Sequence, residues 1–178
     1  MSSAKVRVGL VSDTHGLLEP RLAELFEGCD LLVHAGDIVG PAILRELARM
    51  APLRAVRGNN DLGPAYDALP EMAWVELGSL TALVVHEIGA RGRLAPTLRR
   101  ALARRPAEIV IHGHSHRPGA ALEEGLLFVN PGSAGPRRFS LPRSAGVLEA
   151  DGRHVTVRLV DVASPRLPLL SPPLEADL

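Results

Sequence analysis

Short apolar runs rich in β-branched residues alternate with amphipathic stretches of about helix length in the first third of the chain. The apolar runs predict strands at Val6–Val11, Leu31–Ala35 and Leu53–Val56. The stretches between them, Pro20–Phe26 and Pro41–Met50, predict short helices, because each has proline in its first turn. Two strand–helix units in succession are typical of an α/β fold with parallel strands.

The rest of the chain adds one helix and several antiparallel signals. Two apolar runs flank Gly78-Ser79, and two more flank Asp151-Gly152, and both pairs are typical of hairpin turns. We therefore predict two mixed β-sheets packed as a sandwich and flanked by helices. The predicted elements are a helix at Leu94–Ala103 and strands at Ala73–Leu77, Thr81–Val85, Glu108–His112, Leu126–Asn130, Ala145–Glu149 and Val155–Val160.

The length and apolar content of the chain predict one domain. With 178 residues, of which 46% are hydrophobic, the chain can bury a core of ordinary size. No internal repeat or linker divides it. We expect one domain over residues 1–162, followed by a Pro-rich tail at 163–178 that lies on the surface or is disordered, because it lacks periodicity.

Charge and composition exclude several classes of partner. The 20 basic and 20 acidic residues balance, so no overall field attracts nucleic acid or an anionic membrane. Aromatic residues make up only 3%, which disfavours stacking on unpaired bases. Cys29 is the single cysteine, which excludes an intrachain disulfide and a thiolate-rich zinc site. With no apolar segment long enough for export or a bilayer, we expect a cytoplasmic protein without a membrane partner.

Metal-binding residue types collect just after the ends of five predicted strands. Open α/β sheets place their ligand sites at this edge, so side chains from five loops could meet at one spot. Each fragment alone is equally typical of a turn or of a core histidine. Their joint occurrence in one order favours a site. The residues are Asp13, His15, Asp37, Asn59, Asn60, Asp61, His86, His114 and His116.

The combined motif resembles the calcineurin-like metallophosphoesterase superfamily, and within it the small single-domain prokaryotic phosphodiesterase branch. The resemblance extends from about Val6 to Val160. The family pattern is D-x-H, G-D, G-N followed by H or C and then D or E, a lone H, and G-H-x-H. It appears here as SDTHG at 12–16, HAGDI at 34–38, RGNND at 57–61, VVHE at 84–87 and HGHSH at 112–116, with NPGSAGPRR at 130–138.

The resemblance implies two metal ions that share one carboxylate. It places Asp37 between the two ions, and it implies catalytic roles for Asp37, Asn59, His86 and Asp61. The imidazole and carboxylate donors suit Mn, Fe, Ni, Co or Zn, among which we expect Mn. The implied ligands are Asp13, His15, Asp37 and His116 at the first ion, and Asp37, Asn59, His86 and His114 at the second.

The same resemblance implies a binuclear phosphoesterase, in which a metal-bridging hydroxide attacks a small-molecule phosphate ester. Asn60 departs from many members of the superfamily, which have a histidine there that is thought to protonate the leaving group. Asparagine supplies no proton at neutral pH. We therefore expect a phosphodiesterase with weak monoesterase activity, and in Asn60→His we expect Asp61 to orient the introduced imidazole.

Two alternatives are kept. The first is a non-catalytic metal-binding scaffold, since the retromer's small subunit has this fold with a degraded metal site; all seven implied ligands are present here. The second is a nuclease, which the zero net charge and the few aromatics disfavour, so a nucleic acid partner is not expected. Homo-oligomer formation stays open.

Several further residues are expected to support the site. His34 and His112 are expected to orient neighbouring loops, and Ser133 is expected to form a backbone turn with Gly132. Guanidinium groups in nearby loops could steady a phosphate, although a solvated surface position is the alternative for each. These arginines are Arg57, Arg91, Arg137 and Arg138.

Overall fold

The computed structural model describes residues 5–90 and 93–178. The first of its two large sheets has six strands in the order β13-β12-β11-β1-β2-β3. β1 pairs in parallel with β2 and antiparallel with β11, so this sheet is mixed. The strands are β1 (Val6–Val11), β2 (Leu31–His34), β3 (Leu53–Ala55), β11 (Ser144–Asp151), β12 (His154–Asp161) and β13 (Leu174–Asp177).

The second large sheet has five strands in the order β4-β5-β8-β10-β9 and is also mixed. A separate two-stranded hairpin follows β5 along the chain. The sheet strands are β4 (Met72–Leu77), β5 (Leu80–Val85), β8 (Ile109–Ile111), β9 (Gly119–Glu123) and β10 (Leu126–Asn130), and the hairpin strands are β6 (Gly89–Ala90) and β7 (Arg93–Leu94).

The two large sheets pack face to face, with helices on both outer faces. Val8 and Leu10 of the first sheet share a buried core with Ala82 and Ile109 of the second. The helices are α1 (Leu22–Leu25), α2 (Pro41–Met50) and α3 (Pro96–Arg104), with a short 3-10 helix at Pro64–Tyr66. α1 and α2 cover the first sheet, and α3 covers the second. The predicted sandwich of two mixed sheets is confirmed.

The carboxyl ends of the parallel strands meet at one end of the sandwich. β1, β2 and β3 run parallel in the first sheet, and β5, β8 and β10 run parallel in the second. His86, after β5, donates from Nδ1 to the carbonyl of Ala35, after β2, at 2.8 Å. The backbone N–H of Gly113, after β8, donates to the carbonyl of His86 at 3.0 Å. The predicted loops are thereby brought together.

The differences from the sequence prediction lie at exposed edges. β9 and the small hairpin were not predicted, and α1 is shorter than the predicted helix at Pro20–Phe26. The tail contains a further strand that was not predicted, Leu174–Asp177, which pairs with β12. Within the described ranges, no helix is long and apolar enough to cross a membrane.

Candidate metal centre

The loops after β1, β2 and β8 turn sharply, with left-handed backbone at five of the predicted ligands. Asp and His are among the side chains that enter this region most readily, although the cost is still about 1 kcal/mol or more per residue. Such turns direct nearby side chains of one loop toward a common point. The φ angles are 53° at Asp13, 43° at His15, 55° at Asp37, 66° at His114 and 57° at His116.

Two glycines of the motif allow the loops to approach closely. A Cβ at Gly58 would overlap the backbone nitrogen and carboxylate of Asp37. A Cβ at Gly113 would overlap the hydroxyl of Ser12 and lie 2.6 Å from Asp13 Oδ2. Glycine is therefore required at both positions by the packing of one site loop against another.

The first group of donors consists of Asp13, His15 and His116. Nε2 of His116 lies 3.1 Å from Oδ1 of Asp13 and 3.3 Å from Nε2 of His15. Although His116 is so close, Oδ1 of Asp13 is buried without a hydrogen-bond partner among the described residues. The short separation between His116 Nε2 and Asp13 Oδ1 lacks the alignment of a hydrogen bond. The site thus contains a buried carboxylate oxygen that needs a cation.

The second group of donors surrounds Asp37. Nε2 of His86 lies 3.0 Å from Oδ1 of Asn59 and 3.5 Å from Oδ1 of Asp37. Nδ1 of His114 lies 3.1 Å from the same Asn59 oxygen. Since His86 donates from Nδ1 to a carbonyl, its Nε2 keeps a lone pair that faces the group. The other oxygen of Asp37, Oδ2, lies 3.7 Å from Nε2 of His15, which links the two groups.

The donor set fits divalent transition-metal ions. Two imidazole nitrogens at 3.3 Å can share one proton at most, and the buried Asp13 oxygen beside them has no donor. Lone pairs that face each other in a buried site repel unless a cation lies between them. Mixed nitrogen and oxygen donors favour Mn, Fe, Co, Ni or Zn over Mg or Ca. The structure therefore brings all seven predicted ligands to one place.

The protonation states of Asp37 and His15 suit metal binding. Burial alone would raise the pKa of Asp37, but the nearby His86 imidazole and the hydrogen bonds from the backbone and side chain of Asn60 outweigh it and lower the pKa below its usual range. Burial, together with the nearby Arg138, lowers the pKa of His15. A charged carboxylate and a neutral imidazole are the forms that coordinate a metal.

Asp61 and Asn60 support the centre and do not take the places that the sequence suggested. Oδ1 of Asp61 accepts from the backbone of Ile38 at 2.8 Å and of Val39 at 2.9 Å, and Oδ2 accepts from Gly58 at 2.8 Å. Asp61 is buried and binds two ligand loops together. Asn60 donates from its side chain to Oδ2 of Asp37 at 2.6 Å, so it orients that carboxylate. Among the described hydrogen bonds of the Asp61 side chain, none involves the side chain of Asn60.

A buried histidine holds the loop of Asp37, as expected for His34. Nδ1 of His34 accepts from the backbone of Gly36 at 3.2 Å, so its proton is on Nε2, 3.0 Å from the hydroxyl of Thr14. Thr14 in turn donates to the carbonyl of Ile38 at 3.1 Å. Burial lowers the pKa of His34 to about 4, so the ring is neutral at physiological pH.

Two serines hold Asp13, and the sequence analysis predicted neither contact. Ser12 donates to Oδ2 of Asp13 at 2.6 Å, and Ser133 donates to the backbone carbonyl of Asp13 at 2.8 Å. The position of Ser12 next to the motif aspartate was a signal available in the sequence. Asn130 similarly fixes the loop of the last two histidines, since its amide donates to the carbonyl of Gly113 and the hydroxyl of Ser115, both at 3.0 Å.

Of the three candidate arginines that the structure describes, one reaches the centre. Nη2 of Arg138 lies 3.4 Å from Nε2 of His15, at the exposed side of the site. Arg57 instead pairs with Glu71 at 2.8 Å, and Arg137 donates to a backbone carbonyl. Arg91 lies outside the described residues.

Comparisons with known proteins agree with this geometry. The sequence model of the calcineurin-like phosphoesterase superfamily domain matches residues 6–153. A protein of Methanothermobacter thermautotrophicus named as a probable metallophosphoesterase is 31% identical over 166 residues, covering 89% of this chain and 94% of the relative. A protein of Methanocaldococcus jannaschii named as a phosphodiesterase is 24% identical, over 84% of this chain and 96% of the relative.

A solved structure shows the same fold. Vacuolar Protein Sorting 29 from Cryptosporidium parvum superposes with a TM-score of 0.80 at 20% identity, over 98% of this chain and 99% of that one. The two mixed sheets and the convergent carboxylate and imidazole groups define a protein of the metallophosphoesterase class. The chain belongs to the calcineurin-like phosphoesterase superfamily.

Proposed function

We propose that this protein is a phosphodiesterase that uses two divalent metal ions, with Mn as the expected metal. The observation that carries the proposal is the position of Asp37, whose two oxygens face separate groups of nitrogen donors. Oδ1 lies 3.5 Å from Nε2 of His86, and Oδ2 lies 3.7 Å from Nε2 of His15. One carboxylate placed between two donor groups is the arrangement expected of a binuclear site.

The side chains supply position and charge. Asp13, Asp37 and their imidazole partners would hold the metals. When bound, the two cations would lower the pKa of a shared water molecule and carry charge that develops on the phosphoryl oxygens. Arg138, at the exposed side, would bind a phosphoryl oxygen through its guanidinium group.

No serine at the site is free to act as a nucleophile. The hydroxyls of Ser12 and Ser133 donate to Asp13, and that of Ser115 accepts from Asn130. The contacts of Ser133 and Ser115 involve no base, and the carboxylate that accepts from Ser12 belongs to Asp13, a proposed metal ligand whose basicity a bound cation would lower. This supports attack by an activated water molecule.

A diester is preferred over a monoester for two reasons. Asn60 supplies no proton to a departing alkoxide, and its amide is held against Asp37. Among the arginines that the structure describes, Arg138 is the one in contact with the donor groups, and a single guanidinium matches the single charge of a diester better than the double charge of a monoester. The relative from Methanocaldococcus jannaschii, named as a phosphodiesterase, supports the same class.

The proposal is tested by a metal-by-substrate screen and by Asp37→Asn. Metal-free protein would be loaded with Mn, Fe, Co, Ni or Zn and assayed with bis(4-nitrophenyl) phosphate and 4-nitrophenyl phosphate. We expect the diester to be hydrolysed faster. Asp37→Asn should abolish activity and lower the metal content measured by elemental analysis, because the shared carboxylate is lost.

The exposed Asp67→Asn is the matched control and should leave both quantities unchanged. Two metals per chain and near-normal turnover in Asp37→Asn would falsify the binuclear assignment. Full metal content in the unsubstituted chain without hydrolysis of any diester would favour the scaffold alternative.

A further inference from the structure

A cleft of about 850 Å³ opens beside the metal centre, and none of the seven metal-binding side chains lines it. Its floor is formed by β9 and β10, including Leu126 and Phe128, and one wall by the small hairpin with Ile88 and Leu94. Its volume falls within the range of about 300–1,000 Å³ that is typical of small-molecule sites. The mechanism above leaves this cleft unused.

The cleft begins one residue away from the metal ligands. Ser115 lines it and stands between His114 and His116, whose ring nitrogens face the donor groups. The hydroxyl of Ser115 is instead held by the amide of Asn130, which also lines the cleft, at 3.0 Å. Neighbouring Cα atoms are only 3.8 Å apart. The substituent of a phosphoryl group bound at the metals could therefore reach the cleft.

The lining favours a flat and uncharged group. Its apolar side chains belong to or pack against the same small core as α3. Gly89 and Gly119 have no side chain and Ala120 has only a methyl group, so these residues leave space between the backbone segments of the walls. The charged residues that line it are exposed and of both signs, so they give the cleft no net preference for an ion. They are Arg93, Arg117, Glu123 and Glu124.

We propose that this cleft binds one substituent of the phosphodiester, and that this substituent is an uncharged aromatic alcohol. The inference rests on the proposed function, because the metal centre fixes where the phosphoryl group lies. The aromatic ring would lie on Leu126 and Phe128, and the phosphate would extend past Ser115 to the metals. Substrate selection then depends on β9, β10 and the hairpin, none of which carries a metal ligand.

The test compares two phosphonates that are not hydrolysed. Phenylphosphonate and methylphosphonate carry the same charged group and differ only in the substituent. Calorimetry with the metal-loaded, full-length protein should show that phenylphosphonate binds about ten- to a hundredfold more tightly, the range expected for burying one aromatic ring.

Gly119→Phe tests the location of the ring. A Cβ at Gly119 meets no atom within 4 Å, and the φ angle of Gly119 is outside the left-handed region, so the new ring can enter the cleft. The variant should bind phenylphosphonate about as weakly as methylphosphonate. Its affinity for methylphosphonate should be unchanged. Leu122→Phe adds the same ring to the same strand at an exposed position outside the cleft, and should keep the preference.

Equal affinities of the unsubstituted protein for the two phosphonates would overturn the proposal, whether or not any variant folds. A full phenyl preference in folded Gly119→Phe would overturn it as well. If the metal-loaded protein hydrolyses no diester but keeps a phenyl preference that Gly119→Phe removes, the proposed activity fails and the cleft assignment stands.

Discussion

Asp61 is a buried carboxylate whose role is to hold two loops in register. Its three backbone hydrogen bonds join the loop of Asp37 to the loop of Asn59. Asp61→Ala would leave three N–H groups without their acceptor. We expect a loss of about 2–4 kcal/mol in the free energy of unfolding, because each hydrogen bond to a charged group contributes about 1.5–3 kcal/mol and neighbouring losses are not additive.

Urea unfolding of the metal-free protein measures this loss without any contribution from metal affinity. Asp61→Asn should lose less than Asp61→Ala, since one amide oxygen can still accept. Asp67→Ala, at an exposed position in the following loop, is the control and should change little. Equal stability of Asp61→Ala and the unsubstituted protein would mean that water replaces the carboxylate at no cost.

At the scale of single residues, the sequence located the candidate metal ligands better than the residues that support them. The ligands are chemically distinctive and follow strands, so Asp13 and His116 could be identified by type and place. The direction of Asp61 depends on the conformation of the whole loop, which no short motif determines. A catalytic role was therefore assigned to a residue that contacts backbone N–H groups of Ile38, Val39 and Gly58.

The loop between β3 and β4 depends on a glycine at its closest approach to the loop after β2. Gly58→Ala should displace Asp37, because the added Cβ overlaps the backbone and carboxylate of that residue. A displacement of about 1 Å at a reacting centre can lower the rate about a hundredfold. Turnover of an aryl phosphodiester and metal content should both fall.

Gly40→Ala provides the matched control, since its Cβ would come no closer than 3.4 Å to another atom and its φ of 176° is extended backbone that alanine adopts. It should fold and turn over like the unsubstituted protein. Full activity in Gly58→Ala would show that the Asp37 loop can shift without loss of the donor geometry.

Glu149 ties three strands of the first sheet together through charge. It lies in β11 and pairs with Arg7 of β1 at 2.8 Å and with Arg158 of β12 at 2.9 Å. The hydrogen bond from Arg158, with a second from Arg7, outweighs partial burial and lowers the pKa of Glu149 from 4.5 to about 2. A lowered carboxyl pKa stabilises the folded state above about pH 4.5, and this stabilisation is lost as the pH falls toward 2.

Glu149→Gln should therefore lower the free energy of unfolding by roughly 2–3 kcal/mol at pH 7. The difference between the two proteins should shrink as the pH falls below 4.5. Chemical denaturation at several pH values measures it. Glu76→Gln removes an exposed pair with Arg105 and is the control, since exposed pairs contribute about 0–1 kcal/mol. A difference that does not vary with pH would mean that packing, and not charge, explains the loss.

At the scale of elements, buried strands were predictable and exposed ones were not. β5 and β8 are apolar on both faces, since each is covered by the other sheet and by α3, and such runs are evident in the sequence. β9 and β13 are largely exposed, so no burial pattern marks them. Their strand structure comes from backbone hydrogen bonding to the adjacent strands β10 and β12, which side-chain periodicity does not report.

The whole molecule places its metal centre where two sheets present their strand ends together. That general location followed from the order of the motifs, because ligands of α/β sheets lie beyond the carboxyl ends of strands. The cleft beside the centre could not be predicted from the order of the motifs, since it depends on β9 and on the small hairpin. The convergence of the candidate ligands could therefore be predicted from the sequence, but the region proposed to select the substrate could not.

The C-terminal strand also has a consequence for solubility. β13 covers one half of β12 and presents Glu175 and Asp177 at the end of the sheet. Deletion of residues 172–178 would expose the free N–H and C=O groups of His154–Val157, which form a template for pairing with another chain. We expect the shortened protein to self-associate in light scattering at concentrations where the full-length protein does not, while its metal content is unchanged. The last residues of the chain would then protect the protein from aggregation, because β13 covers the edge of β12 and its carboxylates disfavour pairing with another chain.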